Sequence, residues 1–420
     1  MSTTPPDATP GPDVTAFVAH DPYAALRSPS YRRYVAGWAV AAIGMQVQTL
    51  AVGWELYERT NSALMLGYIG LAQVIPVLLF TLVGGHAADL YDRRRLAQLS
   101  QVAFALCSLG LAAVSAFHGP VWAIYALLVA AGTARAFNVP ARASLLPLIV
   151  PPEVFGNLVT WNSGAFQLAA IGGPALGGYL IHLAHAAWPA YVLAAGGGVV
   201  FAISLFGVHP RPTPPRQASV SLRAMVAGLS HVRREKTVLA AITLDLFAVL
   251  LGGATSLLPV YAKDILHVGP VGLGVLRSAP YVGALLMALT LVHRPPLVRA
   301  GPALLWSVAG FGVATIVFGI SPWFGVSLLM LALAGAVDNI SVVIRQVLVQ
   351  MRTPDEVRGR VNAVNFVFIE CSNELGGFES GVVANYFGPV FSVVSGGVGT
   401  ILVVITVALL WPEIRRLRRL

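Results

Sequence analysis

The chain is a succession of long apolar runs, and each run stops abruptly at a short polar stretch. The run from Leu64 to Val83, for example, ends in GGHAADLYDRRRL, residues 84–96. A helix of about 20 apolar residues crosses a ~30 Å hydrocarbon core. Inside lipid only helices and closed barrels satisfy every backbone polar group. These runs are continuous and lack the period-two alternation of barrel strands, which excludes a barrel. Twelve membrane helices are expected, at roughly 34–56, 65–87, 96–117, 121–141, 157–182, 187–208, 237–260, 271–292, 301–320, 323–350, 361–386 and 389–411. A chain of 420 residues with 56% hydrophobic and 11% charged residues has little polar surface to offer water.

The net charge of +9 does not indicate nucleic acid, because of where the cations fall. With the N-terminus inside, 22 Lys and Arg residues lie on the inner side and two, Arg59 and Lys263, on the outer. Three more, Arg135, Arg277 and Arg345, lie inside spans. This asymmetry predicts both termini in the cytoplasm. Cys107 and Cys371 both fall within spans, so no disulfide framework is expected. Residues 1–30 are rich in Pro, Thr and Asp, lack a signal-peptide apolar region, and read as a disordered cytoplasmic tail.

Two six-helix bundles are expected, 31–208 and 237–411, joined by a linker at 209–236 and followed by a basic tail at 412–420. In the linker a proline cluster precedes Leu222, Met225, Val226 and Leu229, whose spacing predicts a short amphipathic helix on the membrane face. The bundles repeat one another. Aligned without gaps from Arg142 and Arg345, they share Leu145/Leu348, Pro151/Pro354, Glu153/Glu356, Val154/Val357, Gly156/Gly359, Asn162/Asn365, Gly173/Gly376 and Gly178/Gly381. Spans two and eight share a Leu-Gly pair, Leu66-Gly67 and Leu273-Gly274. Parallel six-helix repeats are the plan of the major facilitator transporters.

Three motifs resemble that superfamily. Gly85, Asp89, Arg93 and Arg94 match its signature between helices two and three, with Leu90 and Asp92 departing from it. The glycines permit close helix approach, and Asp89 suits the positive end of a neighbouring helix. The resemblance implies that this neighbour is span eleven, making the stretch a conformational latch; a plain topology anchor is the alternative. GGPALGG, residues 172–178, resembles the exporters' Gly-Pro-x-x-Gly-Gly motif, in which Pro174 removes a backbone donor and Gly173, Gly177 and Gly178 allow a partner from the other half to approach. GTARAFNVPARASLLP, LPVYAKDIL, QMRTPDEVRGRVNAVN and SNELGGFESG resemble the enterobactin-exporter-like branch. The resemblance implies export of a siderophore or drug-like molecule from the bacterial cytoplasm across the inner membrane.

Charges within spans are the functional candidates. Arg135 and Asp338 are repeat mates in spans four and ten, which the resemblance places at the central cavity, and an opposite-charge pair across it is expected. Asp245 is a lone acid in span seven, where burial penalises the charged form as proton coupling requires; a helix–helix hydrogen bond is the alternative. Glu370 and Glu374 share one face of span eleven beside Asn373, and Gln46 offers a neutral partner in span one. Arg142 and Arg345 are candidates for a cytoplasmic gate, and Trp38, Trp161 and Trp306 for interface anchors.

The chain lacks a nucleotide-binding loop, a nucleophile elbow and clustered metal ligands; His182 and His185 come nearest to a metal pair. No enzymatic activity, cofactor or metal is expected, and protons are the simplest energy source. The expected function is a monomeric, proton-coupled exporter (an antiporter) contributing to efflux or multidrug resistance. The alternatives are import or lipid flipping on the same fold, or a non-transporting receptor or assembly partner.

Overall fold

The computed structural model describes residues 21–211, 230, 232–294 and 299–417. The spans are α1 (Pro29–Thr60), α2 (Ala63–Leu90), α3 (Arg93–Ala116), α4 (Val121–Leu145), α5 (Phe155–Ala184), α6 (Trp188–Ser204), α7 (Lys236–Leu251), α8 (Gly269–Val292), α9 (Ala300–Ile320), α10 (Phe324–Arg352), α11 (Asp355–Phe387) and α12 (Pro389–Leu410). A short helix, Pro412–Arg416, follows. Among the described residues eleven of the spans are long and apolar enough to cross a membrane, α7 being counted together with the turns that follow it to Ile265. The remaining one, α11, is 33 residues long and carries the acids and amides noted above. Large apolar side chains such as Leu79, Leu99, Leu106 and Val292 cover the outer surface, as a lipid-facing wall requires.

Local chemistry sets several ends. Ser28 caps α1, accepting from the Tyr31 backbone N–H ahead of a proline at the first helical position. Asp92, which departs from the superfamily signature, caps α3: its carboxylate accepts from the Arg94 and Arg95 backbone N–H groups at 2.9 and 3.3 Å. α7 stops at Gly252-Gly253 and continues only as a 3-10 turn (Ala254–Leu257), a turn at Leu258–Val260 and a π turn at Tyr261–Ile265. Pro259 offers no backbone donor there. A Cβ on Gly253 would stand 2.6 Å from the Gly376 carbonyl, so the break lies directly against α11.

α1 to α6 pack together, as do α7 to α12, and the two bundles meet chiefly along α5–α8 and α2–α11. Both seams are built on small residues from the repeat. Cβ atoms on Gly178 and Gly274 would lie 2.2 Å from the Pro270 carbonyl and 2.5 Å from the Pro174 carbonyl. One on Gly381 would lie 2.7 Å from the Gly67 Cα. Such contacts let backbones touch where lipid supplies no hydrophobic drive to associate.

Two expectations need correction. Residues 21–30, expected to belong to a disordered tail, pack against the first bundle: Ala25 is fully buried and its backbone N–H donates to the Asn157 side chain, while Asn157 and Trp161 both donate to the Pro22 carbonyl. Trp38 is buried and therefore not an interface anchor, and Trp161 ties that N-terminal turn to α5; Trp306 alone of the three is largely exposed. The amphipathic helix expected at Leu222–Leu229 lies outside the described residues.

Candidate functional site

Between the bundles lies a cavity of about 490 Å³. α1, α2, α3, α4, α5, α8 and α11 line it, together with the turns after α7. Its charged members are Arg135, Arg277, Glu370 and Glu374, two of each sign. Arg135 on α4 donates to Glu370 on α11 at 2.6 Å, an ion pair that joins the two bundles. Its side chains are one-third and one-quarter exposed, so the pair faces the cavity. Glu374, one turn further along α11, lies within electrostatic reach of Arg135, Glu370 and Arg277. Amides fill much of the rest. Gln46 and Gln73 line the cavity. Gln48 accepts from Ser108 at 2.6 Å, and Asn138 donates to Gln101 at 3.4 Å.

The described bonds between the bundles are unevenly placed along the cavity. Most of the cations lie on one face, the basic end. Among the described residues, the other inter-bundle bonds lie at mid-depth or toward the opposite end. Gln167 donates to the Tyr281 carbonyl at 2.7 Å and Ser278 to the Ile171 carbonyl at 2.6 Å. Farther out, Lys263 donates to Asn61 at 2.7 Å and stands over the Tyr57 ring, whose hydroxyl donates to Asp264. Tyr68 stacks on Phe378 beside the Gly67–Gly381 contact. The turns after α7 thus line the cavity with Thr255, Ser256 and Pro259 and bolt it with Lys263 and Asp264.

The sequence profile of the Major Facilitator Superfamily matches residues 35–377. The chain belongs to the major facilitator superfamily. It is similar to Enterobactin exporter EntS of Citrobacter koseri, 25% identical over 392 residues, covering 93% of this chain and 94% of the relative. The enterobactin exporter of Escherichia coli O1:K1 / APEC is 24% identical with the same coverage. Among solved structures, a bacterial homologue of the human lysosomal transporter Spinster, in an inward-facing and occupied conformation, superposes with a TM-score of 0.71 at 13% identity, covering 95% of this chain and 98% of that one. A peptide transporter POT variant in complex with sulfate gives 0.72 at 13% identity, covering 96% and 97%. The protein is therefore a multi-pass secondary transporter of the superfamily and not an enzyme.

Several of the charges singled out within or beside spans have different partners from those expected. Arg135 pairs with Glu370 and not with Asp338, which lies on α10 outside the cavity lining. Two repeat mates of opposite charge do not automatically meet, because α4 reaches α11 across the cavity. Asp245 is not a lone acid. It forms an ion pair with Arg345, and both side chains are more than nine-tenths buried. Arg345 accordingly sits inside the second bundle. Arg142 donates to the Tyr34 hydroxyl at 2.9 Å and stacks 3.1 Å above the Trp38 ring within the first.

In the signature stretch, Arg93 donates to the Ala88 carbonyl at 3.2 Å at the end of α2, and Arg94 to the Val208 carbonyl at 3.1 Å. One Asp89 oxygen is buried without a hydrogen bond. Gly85 lies in the last turns of α2. In the exporter-type motif, Cβ atoms on Gly173 and Gly177 would meet α1 of the same bundle, at Gln46 and Val47, whereas Gly178 and the Pro174 carbonyl touch α8 of the other bundle. Glu374, Asn373 and Gln46 line the cavity.

Sequence reasoning passed over Arg277, Tyr281, Gln73 and Trp38 as cavity residues. Arg277 carried a usable signal, a third arginine within an apolar span. The others did not, since isolated Gln, Tyr and Trp residues recur on many helices.

Proposed function

We propose that the protein is a proton-coupled exporter of a small organic molecule, working by alternating access with its basic end in the cytoplasm. The observation that carries this reading is the Arg135–Glu370 pair, which crosses the two bundles within a cavity bolted on the side away from the basic end. A bond between rocking bodies can be made in one state and broken in the other, so its exchange for a proton or a substrate group shifts the equilibrium between them. Glu370 and Glu374 are the proton candidates, because both stand in the cavity and neither belongs to a bundle's interior packing. Asp89 at the basic end, with its unsatisfied oxygen, is the candidate for a latch that holds the alternate state. The similarity to enterobactin exporters supports the outward direction and an organic cargo.

The test is transport in inverted membrane vesicles with an imposed pH gradient, scored on siderophores and amphipathic drugs. Uptake that collapses with an uncoupler and in Glu370→Gln supports the reading. Accumulation driven in the opposite orientation assigns the protein to import. Equal rates with and without the gradient refute proton coupling.

A further inference from the structure

Of the four charges in the cavity, two are engaged and two are not. Arg135 and Glu370 bond directly to each other. Arg277 on α8 and Glu374 on α11 both line the cavity and both are half-buried, yet among the described residues neither makes a hydrogen bond or an ion pair. They feel one another only through the longer-range electrostatics of the cluster. A partly buried guanidinium and a partly buried carboxylate held apart are costly when left to themselves. They are complementary to a guest that brings a charge of each sign. Tyr281 lies one turn from Arg277 on α8, and Phe166 adds a second ring to the same lining, so the space around the charges suits an aromatic body. The formal charge of the lining is zero, which disfavours a guest of net charge.

We infer that Arg277 and Glu374 form a two-point subsite for a zwitterionic or amphoteric aromatic substrate, Arg277 taking its anionic group and Glu374 its cationic group. This rests on the transport cavity proposed above. It specifies the chemical class of the cargo and is independent of the coupling ion and of the transport direction. Arg135 and Glu370 are not required for it, since they neutralise each other.

The experiment is equilibrium binding to the detergent-purified full chain, read by tryptophan fluorescence with thermal shift as a second readout. The probes are two charge-matched sets. Norfloxacin is compared with its ethyl ester and its N-acetyl derivative, and the dipeptide Tyr-Tyr with its amide and its N-acetyl form. On at least one scaffold the zwitterion should bind about tenfold or more tightly than either singly charged form, the equivalent of roughly 1.4 kcal/mol. Glu374→Gln should abolish the advantage over the anionic N-acetyl form, and Arg277→Gln the advantage over the cationic ester or amide. Glu153→Gln, at an exposed acid outside the cavity lining, should leave the order of the three forms unchanged, and the ligand-free melting of each variant guards against reading a folding defect as lost selectivity. Equal affinity for all three forms on both scaffolds, no binding of any probe to the wild type, or a zwitterion preference untouched by both variants overturns the inference. Because binding is measured without a gradient, selective binding with no pH-driven transport would refute the proposed coupling while leaving the subsite standing.

Discussion

Arg142 and Arg345 occupy equivalent positions in the two repeats, yet the two bundles accommodate them in opposite ways. In the first bundle the guanidinium lies on the face of Trp38 and bonds the Tyr34 hydroxyl, both from α1. In the second it is buried against the Asp245 carboxylate of α7. An aromatic face and a hydroxyl leave the cation's charge uncancelled but partly hydrated, whereas a carboxylate cancels it at the cost of desolvating a second ion. The same contrast runs through the helices that supply these partners. α1 is continuous from Pro29 to Thr60, while α7 breaks at Gly252-Gly253 and carries the bolt to the far end in irregular turns. The first bundle holds its arginine with a rigid aromatic wall, and the second with an ion pair beneath a broken helix.

The largest effect that sharpens this contrast is expected at Asp245. Asp245→Ala leaves Arg345 buried without its counter-ion and should destabilise the protein by about 3–5 kcal/mol. Arg345→Met placed on that background should recover most of the loss. Melting in detergent checks both, and a D245A protein that melts like the wild type would mean that the pair is not formed.

Next comes Arg142→Met, which removes the stacking and one hydrogen bond but orphans no charge. A loss of about 1–2 kcal/mol is expected by the same measurement. If Arg142→Met proves as damaging as Asp245→Ala, the two arginines are not held differently and the comparison fails.

The inter-bundle pair should be weaker still, because it faces the cavity. A double-mutant cycle between Arg135→Ala and Glu370→Ala should show a coupling of about 1 kcal/mol. The cycle between Arg135→Ala and Asp338→Ala should be additive to within about 0.5 kcal/mol. Coupling to Asp338 in place of Glu370 would return the pair to the repeat-mate arrangement that symmetry alone implies.

The smallest stability effect is expected at the bolt, where Lys263→Ala removes one exposed hydrogen bond worth about 0.5–1 kcal/mol. Its consequence should lie in transport. With Asn61 and Lys263 both replaced by cysteine, oxidation should arrest turnover and reduction should restore it. Undiminished turnover after complete cross-linking would show that this end need not open.

The membrane class, the number and order of spans and the uneven placement of cations were all legible in the sequence, because each is a one-dimensional property. Hydrocarbon thickness fixes the length of an apolar run, and the stretches between runs show where charge collects. The repeat was legible as well, and the glycines it shares, Gly178 and Gly381, stand at the two seams between the bundles. Gln46, Glu370, Asn373 and Glu374 could be named as proton-coupling or substrate-binding candidates, since an acid or amide on a long apolar helix needs protein or water beside it, and all four line the cavity.

Partnership was not legible. Which acid meets Arg135 depends on how two bundles lie against each other, and the seams along α2–α11 and α5–α8 bring α11, not α10, to α4's charge. Asp245 looked solitary because its partner is a hundred residues away on α10. Trp38 looked like an anchor because composition cannot distinguish an indole at the lipid surface from one beneath an arginine. The sequence by itself determined that this chain spans a membrane as two related helical bundles, since burial in lipid acts on each segment separately. Only the tertiary structure decided which charges cancel and which, as at Arg277 and Glu374, are left facing the cavity, since an electrostatic partner is chosen by distance in space and not by position along the chain.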